Sequence, residues 1–239
     1  MGRLLEQQLI YLYQIIKARF WGWLGLMLVA VIILSFQLRG NPNLSGYGLL
    51  FNGTDPQQLQ LPVWWFVFFV IPTLIVLDAF KQLWHRRTQH LRGLQFKPSD
   101  FLHVNVLLLG CLALVYSGLI FLALGAASSC FQLTSINFGS WSGQEALWGC
   151  WASSYLGILI LLFLQVTLEN LNGALALAIP LSWLVITAYS ALKFNPLNKL
   201  MLVRISAGQE WLALGQLLVT TIFFIVLYYL AENLKNKIN

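Results

Sequence analysis

The sequence predicts an all-α integral membrane protein with six transmembrane helices, an N-terminal interfacial amphipathic helix, and a re-entrant or interfacial segment before the last span. Three observations predict it. Of 239 residues, 59% are hydrophobic and only 9% charged, where a soluble chain carries about 45–50% apolar and about 25% charged residues. Most of the chain lies in apolar runs near the twenty or so residues that a helix needs to cross a hydrocarbon core of roughly 30 Å. The basic residues behind the formal charge of +6 flank those runs, where anionic headgroups attract them. Membrane lipids are thus the expected surroundings, and nucleic-acid binding is not expected.

Residues 1–19 read as the interfacial helix. Leu5, Leu9, Leu12 and Ile16 recur at three- and four-residue steps, with Glu6, Gln7, Gln14 and Lys17 largely off that stripe. Such a helix lies flat on the inner face of the membrane; the alternative is an inward extension of the first span as one continuous helix. Residues 20–239 form the transmembrane domain, with spans at about 20–36, 61–84, 101–127, 147–168, 173–192 and 211–230. No small-x-small cleavage site follows Phe36, so the first run is expected to stay in the mature protein. Pro72 and Pro180 interrupt the second and fifth spans; each frees a backbone carbonyl and can kink its helix. Phe194 to Arg204 is too apolar for a free loop and too short to cross and return. A short re-entrant or interfacial helix starting after Pro196 fits, with Lys199 and Arg204 snorkelling at the outer surface.

Orientation follows from the loop cations. Ten lie on the side of the N-terminus (Arg3, Lys17, Arg19, Lys81, Arg86, Arg87, Arg92, Lys97, Lys235 and Lys237) and four on the other (Arg39, Lys193, Lys199 and Arg204). That bias puts both termini in the cytoplasm, against three basic residues in the last outer loop. Trp21, Trp23, Trp84, Tyr228 and Tyr229 fall at the inner boundary, and Trp64, Trp65, Trp148, Trp151 and Trp211 at the outer one, as headgroup-level aromatics should. Trp183, in the middle of the fifth span, must face lipid or a neighbouring helix.

The chain offers little chemistry of its own. The eight acidic residues sit mostly in loops or at span ends, and no pair lies deep in the bilayer where a proton relay or cation site would need one. His85, His90 and His103 gather at or near one basic loop, and Ser153 and Ser154 have no His nearby in sequence, so intramembrane proteolysis lacks its parts. No Gly-x-x-x-x-Gly-Lys-Ser/Thr run exists, which excludes P-loop ATP hydrolysis by this chain. Cys111, Cys130 and Cys150 show no metal spacing. Cys130 and Cys150 bracket a polar loop and can either form a disulfide or remain two unpaired thiols. The inner loop from Lys81 to Asp100 carries the densest charge, with Leu91, Leu94 and Phe96 set among Arg86, Arg87 and Arg92. It can grip a partner, or serve only for positive-inside retention.

An N-terminal interfacial helix, this charged loop, the tight inner hairpin Glu169-Asn170-Leu171-Asn172 and the Asn195-Pro196-Leu197-Asn198 to Arg204 segment together resemble the permease subunits of ABC-2-type exporters, a bacterial family of six-span subunits made separately from their ATPase. The resemblance covers nearly the whole chain as architecture, although the large extracellular domain of bigger members is missing. It implies a permease in the bacterial plasma (inner) membrane, paired with a second permease chain as a homo- or heterodimer and bound to two ATPase subunits. ATP and Mg would sit on those partners, with no cofactor and no catalytic residue here. Arg86, Arg87, Leu91, Arg92, Leu94 and Phe96 would couple to the ATPase. Asn105, Gln165, Thr187, Gln216, Thr220 and Thr221, polar groups within spans, would line the substrate path or form interhelical hydrogen bonds. Two rival classes share the span count: a membrane immunity or scaffold protein without ATP coupling, and the substrate-capture subunit of a vitamin importer, which would need a concentrated polar pocket.

Overall fold

A backbone in hydrocarbon must satisfy its polar groups within itself, and the apolar runs do so as helices. The computed structural model describes residues 2–38, 46–53, 61–83, 98–131, 136–169, 171–190, 192 and 194–238. In chain order the elements are α1 (Gly2–Gln37), α2 (Gly46–Phe51), α3 (Val63–Val76), α4 (79–83), α5 (Pro98–Phe131), strands β1 (Asn137–Phe138) and β2 (Trp141–Ser142), α6 (Gly143–Glu169), α7 (Gly173–Tyr189), two 3-10 turns at Pro196–Leu200 and Leu202–Arg204, and α8 (Glu210–Ile238). Five helical segments are long and apolar enough to cross a membrane: Gly2–Phe36, Val63–Leu83, Asp100–Phe131, Gly143–Glu169 and Glu210–Leu234. The expected span at 173–192 is represented by α7, whose 17 residues rise about 25 Å, less than the other five.

α1 is one unbroken helix of 36 residues, about 54 Å long, so residues 2–19 are part of it and form no separate element. Its buried stripe is Leu4, Gln8, Leu12, Ile16, Phe20 and Leu24, whereas Leu9 is half exposed. The four-residue repeat keeps one line of side chains against the bundle for the whole length. α1 runs parallel to α5: Phe36 meets Phe131 edge to face, and Leu12, Ile16 and Phe20 share a groove with Leu108, Leu112 and Leu119. Residues 6–19 therefore lie beside the first apolar half of α5, which is how the continuous-helix alternative is realised.

α6 occupies the centre, packed on α3, α5, α7 and α8; 67% of its apolar window is buried against 22% for α8, the peripheral helix. Gly157 permits a close approach, since a Cβ there would stand 2.6 Å from Cδ1 of Leu200 and 3.1 Å from Cε1 of Phe69. The second span breaks at Leu77 and Asp78, where Asp78 takes a φ of 58°, a left-handed conformation that aspartate tolerates better than most residues. Pro72 and Pro180 remain inside α3 and α7. Between α5 and α6, β1 and β2 form a short antiparallel hairpin pairing Asn137 with Ser142 and Phe138 with Trp141. Cys130 is exposed and Cys150 buried, both as free thiols.

Candidate functional site: a polar latch before the last helix

The segment before α8 is partly buried and held by side chains from α3 and α7. Asn195 begins it: its Oδ1 accepts from the Leu197 backbone N–H at 3.1 Å and from Trp183 Nε1 at 3.0 Å, while its Nδ2 donates to Thr187 Oγ1 at 2.8 Å. Pro196 at the first position suits a helix start because its missing N–H would have no partner there. Leu197, Leu200 and Met201 are buried, and Trp65 Nε1 donates to the Leu200 carbonyl at 3.2 Å. The Val203 N–H donates to the Asn52 carbonyl at 3.2 Å.

Arg204 closes the latch. One guanidinium nitrogen donates to the Thr187 carbonyl at 2.6 Å, the Ser190 carbonyl at 3.2 Å and Asn198 Oδ1 at 2.7 Å; the other reaches the Ala188 carbonyl at 3.0 Å. These carbonyls end α7, where the last turn has no backbone donors of its own and the helix dipole is negative. A planar fork with five N–H groups satisfies several of them at once. Arg204 thus points into the protein rather than snorkelling at the surface, because orphan carbonyls offer it better partners than headgroup water.

A second tie joins this end of the bundle to the hairpin. Glu210, first residue of α8, accepts from the Ser140 backbone N–H, from Ser140 Oγ at 2.7 Å and from the Gly208 N–H at 3.0 Å. Gly139 has a φ of 61° beside this carboxylate, leaving no room there for a side chain.

The polar span residues separate into two groups. Asn105 is buried and donates to Tyr228 Oη at 2.7 Å; Gln165 is buried and donates to the Thr73 carbonyl at 2.9 Å. Thr187 belongs to the latch, and Thr221 is buried and bonded to the Leu217 carbonyl at 2.8 Å. Gln216 is exposed and Thr220 half-buried on α8, where Thr220 donates to the Gln216 carbonyl at 2.8 Å. Trp65 and Tyr228 are fully buried, having found hydrogen-bond partners inside the bundle instead of at headgroup level. Trp148 and Trp211 are exposed. Trp183 packs its ring 5.8 Å from Phe224. Arg86, Arg87, Leu91, Arg92, Leu94 and Phe96 lie outside the described residues.

Between α1 and α5 an open groove of about 260 Å³ is lined by Leu9, Tyr13, Trp21, Cys111, Val115 and neighbouring apolar side chains. Among the described residues, no group of three or more His, Cys, Asp or Glu could hold a metal ion. No protein-family model matches the chain, no curated protein matches it, and no solved structure matches it. Long apolar helices around a buried centre are the make-up of a multi-pass helical membrane protein.

Proposed function

We propose that the chain is the permease subunit of an ATP-driven ABC exporter in the bacterial plasma membrane, with both termini cytoplasmic. It pairs with a second permease chain along α8 and couples to separate ATPase subunits through residues 81–100. The observation that supports this reading is the outer face of α8. Leu212, Val219, Phe223, Val226 and Leu230 are exposed there, and Gln216 and Thr220 interrupt them. A side-chain amide turned toward lipid forfeits its hydrogen bonds, while one at a helix–helix interface recovers them, at about 0.6–2 kcal/mol per interaction. A second chain supplies such an interface, and the path between the two chains is then bordered by Gln216 and Thr220. Cysteine placed at Gln216 should cross-link two copies in native membranes, and ATP with vanadate should change the yield by several-fold. Absence of cross-linking, with the variant normally inserted, would contradict pairing along α8; cross-linking indifferent to nucleotide would contradict ATP coupling.

One observation favours the membrane immunity or scaffold reading. Asn105, Gln165, Thr187 and Thr221 turn inward and bond within the chain, which builds a rigid bundle as well as it builds a transporter half. That reading predicts α8 cross-linked to a different protein, with no response to ATP.

A further inference from the structure

The groove between α1 and α5 is long, narrow and apolar. It runs from Leu9 to Trp21 on α1 and from Leu108 to Leu119 on α5, stretches that rise about 18 Å. Its floor is buried: Leu12, Ile16 and Phe20 come from α1, Leu108 and Leu112 from α5. A volume of about 260 Å³ spread over that length leaves a slot roughly 4 Å across, the distance at which two carbon atoms touch. Such a slot admits a single hydrocarbon chain and excludes a helix, which is about 10–12 Å across with its side chains.

The side-chain nitrogen and oxygen atoms of the lining belong to Tyr13 and Trp21, both exposed on α1. Trp21 Nε1 donates to Tyr13 Oη at 3.2 Å, and the Tyr13 O–H can still donate to a further acceptor. Lys17, also exposed, stands one turn from each of them on the same ridge of the helix. We propose that the slot holds one acyl chain of an anionic phospholipid, whose phosphate is taken by Lys17 and Tyr13 at the rim. Bilayer hydrocarbon is as apolar as the slot, so retention comes from contact on three sides of the chain and from the ammonium and phenol donors on the phosphate. Water is a poor occupant, because the floor offers it no hydrogen-bond partners. The Lys17 charge favours an anionic headgroup over a zwitterionic one. The site uses neither α8 nor an ATPase, and so goes beyond the exporter reading.

The test uses the full chain in nanodiscs containing phosphatidylglycerol with a photoactivatable diazirine in one acyl chain. After illumination, peptide mapping should place adducts on Leu12, Ile16 and Leu112 several-fold more often than on Leu107 and Leu114, which are exposed on the same stretch of α5 and meet ordinary bilayer lipid. Cys111→Phe, which fills the slot from an exposed position in its wall, should cut the slot adducts several-fold. Lys17→Gln should cut them for phosphatidylglycerol and leave them unchanged for a phosphatidylcholine probe. Slot adducts no denser than those on Leu107 and Leu114, or indifferent to Cys111→Phe, would overturn the site; equal loss of both probes in Lys17→Gln would remove the headgroup assignment. Should Cys111→Phe fail to fold, the wild-type comparison decides alone. ATPase association does not enter these readouts, so the site can fail without the exporter reading failing.

Discussion

Arg204 shows how much a single side chain does at the residue scale. Its contacts to the end of α7 need the planar fork, so Arg204→Lys should keep the charge and lose most of the bonds. Arg204→Ala should cost about 2 kcal/mol, the scale of hydrogen bonds to a charged group, and Arg204→Lys more than half of that; thermal unfolding in detergent measures both. Glu210 ties α8 to the hairpin by accepting from Ser140 and Gly208, so Glu210→Gln should lower the melting temperature in detergent at pH 7. None of these roles was legible in the sequence. A loop arginine and a span-end glutamate reveal their partners only once distant helices are placed side by side.

At the scale of elements, the apolar runs were legible because the bilayer demands them, while breaks and joints were not. A four-residue repeat from Leu4 to Leu24 reads equally as a surface helix or as the start of a long span; packing against α5 decides it. Pro72 drew attention as the kink in the second span, yet the chain departs from the helix at Asp78, where Arg19 supplies a donor to the freed Leu77 carbonyl. The turn starting at Pro196 was recognisable from the proline and its apolar residues, but its anchoring by Trp65 was not. Gly157 makes the approach of α6 to this segment testable. Gly157→Ala gains about 1 kcal/mol of helix propensity, which offsets much of the displacement of Leu200. Gly157→Val lacks most of that gain and should destabilise by about 1–3 kcal/mol through overpacking, with Leu200→Ala partly rescuing it. A double-mutant cycle on melting temperature reads the coupling.

Over the whole molecule, composition alone established a membrane-crossing helical bundle, since so few charges cannot cover a water-soluble surface. Which helix is central and which is left open required the packing: α6 carries the core and α8 presents its apolar face outward. That asymmetry is what a half-transporter needs, a rigid scaffold on one side and an interface on the other, and the exporter reading adds a motor bound to residues 81–100. The most direct measurement is purification from native membranes in mild detergent, followed by identification of whatever remains bound. The account predicts that a P-loop ATPase co-isolates with the wild-type chain and is lost when Arg86, Arg87 and Arg92 are together replaced by Ala. A chain that purifies without an ATPase, or a triple variant that retains it in full, would contradict the account.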